Sequence, residues 1–411
     1  MTHLPSRREL LLASGALFAW AHVPKLARAE GRDPRFLAII LRGGLDGLAA
    51  VAPVGDPDWI ALRCDKALTL DGKPAALALD GVFALNPAMP NLHRLFQARE
   101  AIIVHAAATA YRERSHFDGQ DVLESGLPRP GGVYTGWLNR ALGHLAPDGR
   151  VNPRGSSAFA VGPVAPLVVR GPAPVLSWSP PKLLPASDDT LMRLLELYRH
   201  TDPKLAHKLE NRRSFAAIAR AGGPEQRPDS QNPGAGRAQV RAYFAEAAGT
   251  AGKFLARPDG PRVGALALDG WDTHFNEGIA SGRLAELLSA LDGAIAAVET
   301  AMGAAWRETV VALVTEFGRT ARINGTDGTD HGTATVALLV GGALKGGRVI
   351  ADWPGLKPAN LLEGRDLKPT TDLRAVLKGV LADHLRVDER ALALDVFPGS
   401  DTVRPMGGLV A

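Results

Sequence analysis

The chain has 411 residues, of which 46% are hydrophobic and 22% are charged; this composition supports a full core and argues against extended disorder. Residues 1–29 carry three of the four net positive charges, so the remainder is near neutral. Because no basic block with interleaved aromatic residues follows, we expect no nucleic-acid partner. The single cysteine, Cys64, excludes an internal disulfide and a thiolate metal site, and we expect it to be a small buried residue.

Residues 1–29 are predicted to be a signal sequence. Ser6-Arg7-Arg8-Glu9-Leu10-Leu11-Leu12 has the twin-arginine pattern, Leu10–Trp20 is a short apolar region, and Ala27-Arg28-Ala29 offers small residues for cleavage. An ordinary basic first helix is the alternative. Export by this route predicts a periplasmic or secreted protein. No later stretch reaches about 18 uninterrupted apolar residues, so we expect no stable membrane insertion.

Strand-like and helix-like segments alternate along the rest of the chain, which favours an α/β fold with a parallel sheet. The apolar, β-branched runs predict strands at 36–41, 101–107, 263–268, 309–314 and 334–340. The helical spacings predict helices at 91–99, 117–124, 279–306 and 371–385. Residues 150–260 differ in composition, and we predict that they form an insertion or cap on one domain spanning 30–411.

Four of the predicted strands border carboxylates or histidines. In an open α/β sheet, ligands gather where strands end, so these side chains are expected to share one crevice. Oxygen and nitrogen donors from distant parts of a chain are typical of a hydrolytic metal site. The bordering residues are Asp46, Asp272, His274, Glu316, Asp330 and His331.

Each of these residues also has a purely structural interpretation. Asp46 lies among glycines, as a turn Asp does, although the same setting suits a cation ligand. Asp272 and His274 face the same side of an extended segment, which favours a paired role. Glu316 with Arg319 is either a simple ion pair or a metal ligand beside an anion clamp. His331 is the strongest single ligand candidate.

Ser115 is predicted to precede a helix that ends at Gly126. It is either an ordinary N-cap residue or a nucleophile. A helix N-terminus suits a phosphate or sulfate, and a metal would lower the pKa of the hydroxyl. His116 follows directly and is a candidate ligand.

As an ordered set, the motifs resemble a family of exported, twin-arginine bacterial proteins of unknown function in the alkaline phosphatase/sulfatase superfamily. They are Gly-Gly-Leu-Asp-Gly, Ser-His-Phe-Asp-Gly-Gln, Asp-Thr-His, Thr-Glu-Phe-Gly-Arg-Thr and Thr-Asp-His-Gly-Thr, and the resemblance covers about residues 36–385. It implies a central, mostly parallel sheet flanked by helices. It also implies cleavage of phosphate or sulfate esters by two divalent metals, often zinc, around a Ser, Thr or formylglycine nucleophile.

Carried over by position, the resemblance gives roles to individual residues. Asp46 and Glu316 would bind one metal, with Ser115 between the two metals. Asp272, His274 and His331 would bind the other. Phe317 stands where the superfamily usually has a histidine, so one imidazole ligand is missing, and His116 or Asp330 is the expected replacement. These residue types alone do not set the metal, since such sites accept zinc, manganese or others.

Two functions follow from the sequence. The first is a metal-dependent periplasmic hydrolase of anionic phosphate or sulfate esters, with Ser115 as nucleophile and Arg319 on the anion. The second is a non-catalytic, metal-binding or partner-binding relative that serves an exported protein partner, which Phe317 in a ligand position favours. A third possibility is that the polar residues are structural and bind no metal.

Overall fold

The computed structural model describes residues 32–145, 158–162, 164–179 and 233–411. The predicted signal sequence at 1–29 lies outside the described residues, as do residues 180–232 of the predicted cap. The strands of the described residues are β1 (Arg35–Arg42), β2 (Val51–Ala52), β3 (Leu77–Ala78), β4 (Ala84–Leu85), β5 (Ala101–Ala108), β6 (Ala158–Val161), β7 (Val175–Trp178), β8 (Val263–Asp269), β9 (Thr309–Thr315), β10 (Thr335–Val340), β11 (Arg348–Ile350) and β12 (Thr371–Asp372).

Helices connect these strands. The α-helices of the described residues are α1 (Gly47–Ala50), α2 (Trp59–Arg63), α3 (Pro90–Gln97), α4 (His116–Ser125), α5 (Trp137–Leu142), α6 (Pro233–Ala256), α7 (Arg283–Met302), α8 (Leu373–Leu385) and α9 (Glu389–Ala391). Short 3-10 helices follow α2 and α7 at Cys64–Lys66 and Gly303–Glu308, and others lie at Leu167–Val169 and Pro358–Asn360. A short π-helix at Leu392–Val396 follows α9.

A central sheet organises the described part of the chain. Its strand order is β11-β5-β10-β9-β1-β8-β6-β7, with β12 beside β5, and a small separate sheet joins β2, β4 and β3. Every pairing in the central sheet is parallel except the two made by β10, which runs antiparallel to β5 and β9. The predicted α/β fold with a mostly parallel central sheet is therefore confirmed.

Both faces of the sheet are buried, which explains why its strands are apolar without interruption. In β1, Leu37, Ile39 and Leu41 face one core, and Phe36, Ala38 and Ile40 face the other. Helices α3, α6 and α7 contribute to the first core, while α5 and α8 contribute to the second. Helices thus cover both faces, as expected.

Strand direction determines where the polar segments meet. The carboxyl ends of β1, β8 and β9 lie at one edge of the sheet because the three strands are parallel. Since β10 runs the opposite way, its amino end lies at that same edge. The segment 329–333 precedes β10, so it lies beside the segments that follow β8 and β9.

The element boundaries agree with the predicted ones to within a few residues. The structure differs from the sequence-based expectations in two other respects. In the 150–260 segment, the described strands β6 and β7 extend the central sheet, because β6 pairs in parallel with β8. They are thus part of the main layer and not of a cap. Cys64, which we expected to be buried, is exposed just after α2.

Helix α7 carries many buried apolar residues. Together with the 3-10 turn it forms Arg283–Glu308, the one helix among the described residues that is long and apolar enough to cross a membrane by length and composition. Half of that window is buried within the protein, and α7 packs against α6 and α3. Its apolar character is accounted for by this core packing.

A candidate metal centre

Three imidazoles converge on one carboxylate oxygen at the polar edge of the sheet. Oδ1 of Asp272 lies 3.0 Å from Nε2 of His274, 3.3 Å from Nε2 of His331 and 3.4 Å from Nε2 of His116. The Nε2 atoms of His274 and His331 are 2.9 Å apart. We call these four residues the histidine cluster. They come from the first turn of α4, the segment after β8 and the segment before β10.

Each imidazole of the histidine cluster has an oxygen behind it. Nδ1 of His116 is 2.9 Å from Oε1 of Glu316, and Nδ1 of His331 is 2.8 Å from the backbone oxygen of Arg114. Nδ1 of His274 is 3.5 Å from Oδ1 of Asp330. A proton on each Nδ1 would be donated to that oxygen, which leaves each Nε2 with a free lone pair. Metal-binding histidines are usually held in this way.

The separations within the histidine cluster suit a small divalent cation. Tetrahedral ligands at bond lengths of about 2.0–2.1 Å lie roughly 3.3–3.4 Å from one another. The three distances from Asp272 Oδ1 to the imidazoles and the distance between His274 and His331 are 2.9–3.4 Å. Ligand atoms of His116, Asp272 and His331 all lie within 4.8 Å of one another. Among the described residues, Nε2 of His116 is buried yet has no hydrogen-bond partner, as expected for a nitrogen reserved for a ligand.

The surrounding charges favour the protonation states that metal binding requires at Asp272 and His331, but not at His116. Burial alone would raise the pKa of Asp272, but the hydrogen bond and charge of Arg319 bring that pKa below its usual value. Burial and the neighbouring His116 lower the pKa of His331, which favours its neutral form. The hydrogen bond to Glu316 raises the pKa of His116, because the carboxylate stabilises the protonated ring.

Glu316, which we expected to bind a metal, is positioned behind His116 instead. Its side chain is fully buried. Oε1 accepts hydrogen bonds from the backbone N–H of Gly43 at 2.8 Å and from Gln120 at 3.1 Å, besides the contact with His116, while Oε2 accepts from Thr315 at 3.0 Å. Both oxygens are thus occupied, and the carboxylate orients the imidazole. These bonds also lower the pKa of Glu316 despite its burial.

Asp330 likewise stands behind an imidazole. Its side chain is 53% exposed, and Oδ1 also accepts a hydrogen bond from Asn324 at 3.1 Å. That hydrogen bond is the main reason why the pKa of Asp330 lies below its usual value. The geometry gives Asp330 the position of a residue that orients His274, not the position of the replacement ligand that we expected. Of the two expected replacements, His116 is the one that faces the centre of the histidine cluster.

Asp46 does not join the histidine cluster. It is the N-cap of α1, where Oδ1 accepts from the backbone N–H of Ala49 at 3.1 Å. Arg63 donates to both carboxylate oxygens, at 2.7 Å and 3.1 Å, and both side chains are buried. The guanidinium supplies the positive charge that the resemblance assigns to a metal. No sequence signal pointed to Arg63, because it lies 17 residues away in a different helix.

Arg319 faces inward and not toward a substrate anion. Its guanidinium is fully buried and donates to Oδ1 of Asp272 at 2.7 Å, to the backbone oxygen of Thr329 at 2.6 Å and to Oγ1 of Thr329 at 3.2 Å. The expected anion clamp is therefore a fixed partner of Asp272. This ion pair keeps Asp272 ionised and directs its Oδ1 toward the imidazoles.

Ser115 precedes α4, as predicted, and α4 ends at Gly126, whose φ of +75° suits glycine. The Ser115 side chain makes no capping hydrogen bond, so Ser115 does not act as an ordinary N-cap residue. Its backbone N–H instead donates to the hydroxyl of Tyr111 at 3.3 Å. Ser115 is half-buried and immediately precedes His116, a member of the histidine cluster.

Phe317 forms an apolar wall of the cluster. It is 3% exposed, and its ring centroid lies 4.9 Å from that of His116 and 5.1 Å from that of His331. The ring also fills the space beside Gly44, where a Cβ would come within 2.8 Å of it. Gly44 has a φ of +73°, so both its backbone conformation and its contact with Phe317 require glycine.

Comparison with known proteins identifies the family. Residues 106–396 match the family described as protein of unknown function (DUF1501). The match spans well over half of the chain, which therefore belongs to this family. A search of curated proteins returned no match.

Several solved structures are similar to this chain at low identity. A 2-O GAG sulfatase is 11% identical, with 92% of this chain and 76% of that chain covered and a TM-score of 0.41. The phosphonate monoester hydrolase of Agrobacterium radiobacter is 12% identical, with 86% and 74% covered and a TM-score of 0.34. The C-terminal periplasmic domain of EptC from Escherichia coli, solved with zinc, is 11% identical, with 75% and 73% covered and a TM-score of 0.32.

Proposed function

We propose that this chain is a metal-dependent hydrolase of phosphate or sulfate esters, exported by the twin-arginine route to the periplasm or beyond. The observation that carries the proposal is the orientation of the three imidazoles, whose Nδ1 atoms face oxygen acceptors while their Nε2 atoms face Asp272. This donor set suits zinc. The residues that would hold the cation are His116, Asp272, His274 and His331.

The proposal is for one cation and not two. The residues that the resemblance assigns to a second metal are otherwise engaged, since Asp46 pairs with Arg63 and Glu316 pairs with His116. Phe317 adds an apolar ring where a further imidazole ligand would be needed. A bound divalent cation would neutralise charge on the ester oxygens and lower the pKa of a hydroxyl group that contacts it.

The side chains that would hold the cation are open to a substrate. The Asp272 side chain is 40% exposed, and those of His116, His274 and His331 are 23–30% exposed. The first-turn N–H groups of α4 have no partner within the helix and offer donors to an anion. Substrate would thus lie between the histidine cluster and the amino end of α4, beside Ser115.

In the proposed reaction, Oγ of Ser115 attacks the phosphorus or sulfur of the ester. The bond to the ester oxygen breaks, and the alcohol leaves with a proton from solvent, while the serine proton passes to solvent. Water then attacks the phosphorus or sulfur of the resulting phosphoserine or sulfoserine, which releases the inorganic anion, returns a proton to Oγ and restores the hydroxyl. The residues of α4 hold the anion in line, and Arg319 holds Asp272 in place through both stages.

A comparison of serine variants tests this role. Zinc-loaded wild type, Ser115→Ala and the control Ser177→Ala, an exposed serine of β7, would be assayed on chromogenic phosphate and sulfate esters. We expect turnover by wild type and the control, and a loss on the order of 10³-fold in kcat for Ser115→Ala. Equal turnover by Ser115→Ala and wild type would remove Ser115 as nucleophile.

A second function is favoured by the same features that limit the site to one cation. With Asp46 bound to Arg63 and Phe317 beside the cluster, the chain could be a metal-binding but non-catalytic relative that serves an exported protein partner. Stoichiometric zinc binding by wild type, together with no turnover of either ester class, would support this function over hydrolysis.

A further inference from the structure

Two phenylalanines next to the histidine cluster are exposed to solvent. Phe117 is 89% exposed and follows His116, and Phe275 is 67% exposed and follows His274. Single exposed apolar residues are common and need no explanation. These two are notable because each directly follows a candidate metal ligand, although they come from different elements of the fold.

The two phenylalanines directly follow two members of the histidine cluster that contact the same third member. Their neighbours His116 and His274 both contact His331, with ring centroids 4.2 Å and 4.6 Å apart, and both face Oδ1 of Asp272. The Phe275 ring centroid lies 6.4 Å from that of His274. Each phenylalanine is therefore one residue away from an imidazole that faces the exposed carboxylate. We call Phe117 and Phe275 the aromatic rim.

Phe117 also lies at the helix end where the proposed function places the anion. It occupies the first turn of α4, whose backbone N–H groups would face the anion. The organic group is joined to that anion by a single bridging oxygen, so it must lie within a few ångströms of the same helix end. An aromatic side chain there offers a large apolar surface with little conformational entropy to lose.

From these positions we propose that the aromatic rim selects esters whose organic group presents a flat ring, such as an aryl or a sugar ring. This inference rests on the proposed function, because it assigns a substrate class to the same site. The ring would contact Phe117 and Phe275 while the phosphate or sulfate group contacts the histidine cluster. Esters of small alkyl alcohols would lack the contact with the rim.

The test compares two esters that differ in the organic group. The zinc-loaded wild type, Phe117→Ala, Phe275→Ala, the double variant and the control Leu394→Ala, a 55% exposed leucine of the 392–396 segment, would be assayed on phenyl phosphate and methyl phosphate. We expect the preference for phenyl over methyl, as a ratio of kcat/KM, to fall about 10-fold in the double variant. An unchanged ratio would overturn the inference.

A binding measurement separates failure of this inference from failure of the proposed function. If wild type hydrolyses neither ester, the hydrolase proposal fails. Calorimetry with phenylphosphonate and methylphosphonate then shows whether the aromatic rim binds a flat ring. Tighter binding of phenylphosphonate that is lost in the double variant would support the rim. Equal binding of the two phosphonates would overturn the inference. A change of oligomeric state in the double variant would also overturn it, because it would show that the rim is a subunit interface.

Discussion

The Nε2 atoms of His274 and His331 lie 2.9 Å apart, and both face Oδ1 of Asp272. At most one of the two nitrogens can donate to the other, and the Nδ1 of His331 already contacts a backbone oxygen at 2.8 Å. A divalent cation between them would satisfy both lone pairs at once. This pair of residues is therefore the centre of the proposed site.

The contact between Glu316 and His116 predicts an effect on metal affinity. In Glu316→Gln the side chain keeps its size but loses the charge that orients Nδ1 of His116, so we expect the affinity for zinc to fall about 10–100-fold. Competition with a chelator measures the change. Glu100→Gln, which alters a carboxylate bonded to Trp306, is the control and should bind zinc as wild type does. Equal affinity in all three proteins would show that Glu316 does not position His116.

Because Arg63 pairs with Asp46, we predict that substitution of Arg63 lowers stability and that substitution of Asp46 leaves the metal content unchanged. Arg63→Met leaves a buried carboxylate without its partner, so we expect the free energy of unfolding to fall by about 3–5 kcal/mol. Arg257→Met, which breaks an exposed pair with Asp259, should cost less than about 1 kcal/mol. Denaturant titration measures both. In Asp46→Asn the zinc content should match that of wild type, and a reduced content would return Asp46 to the set of ligands.

The raised pKa of the buried Glu277 carboxyl leads us to predict that the stability of the protein depends on pH. Burial, with Asp46 as the next cause, raises the pKa of this glutamate from 4.5 to about 7. Between these two values the folded chain holds a proton that the unfolded chain has lost, so the free energy of unfolding falls as pH rises through this window. Glu277→Gln cannot titrate and accordingly should not show this contribution.

The comparison of wild type with Glu277→Gln isolates that effect. Glu277 accepts hydrogen bonds from Thr273 and Thr329, and an amide of the same shape can occupy its position. We expect the stability of Glu277→Gln relative to wild type to be greater at pH 8 than at pH 5 by about 1–3 kcal/mol. Thermal or urea unfolding at both pH values measures this difference. Parallel pH profiles for the two proteins would contradict the assignment.

The fold was largely predictable from the sequence, because buried parallel strands are continuous apolar runs and their flanking helices have regular spacing. The sequence also showed that the polar segment around His331 precedes its strand while the others follow theirs. The antiparallel direction of β10 accounts for this inversion, since it brings the amino end of β10 to the same edge as the carboxyl ends of β8 and β9.

The individual roles of the polar residues could not be predicted from the sequence. A carboxylate after a strand looks the same in sequence whether it binds a metal or orients a histidine, and the bond from Glu316 to His116 joins residues 200 positions apart. The backbone oxygen of Arg114 leaves no residue-type signal at all. Arg319 was recognised as important, but its burial against Asp272, which excludes direct contact with an anion, depends on packing that the motif does not encode.

The metal content of the purified protein decides whether the histidine cluster binds a cation. Elemental analysis of wild type, His331→Ala, His116→Ala and the control His144→Ala, whose histidine contacts Asp395 instead, would give equivalents of zinc or another divalent metal per chain. We expect about one equivalent in wild type and the control and less than about 0.1 in the other two variants. Less than about 0.1 equivalent in wild type, or equal content in all four proteins, would contradict it.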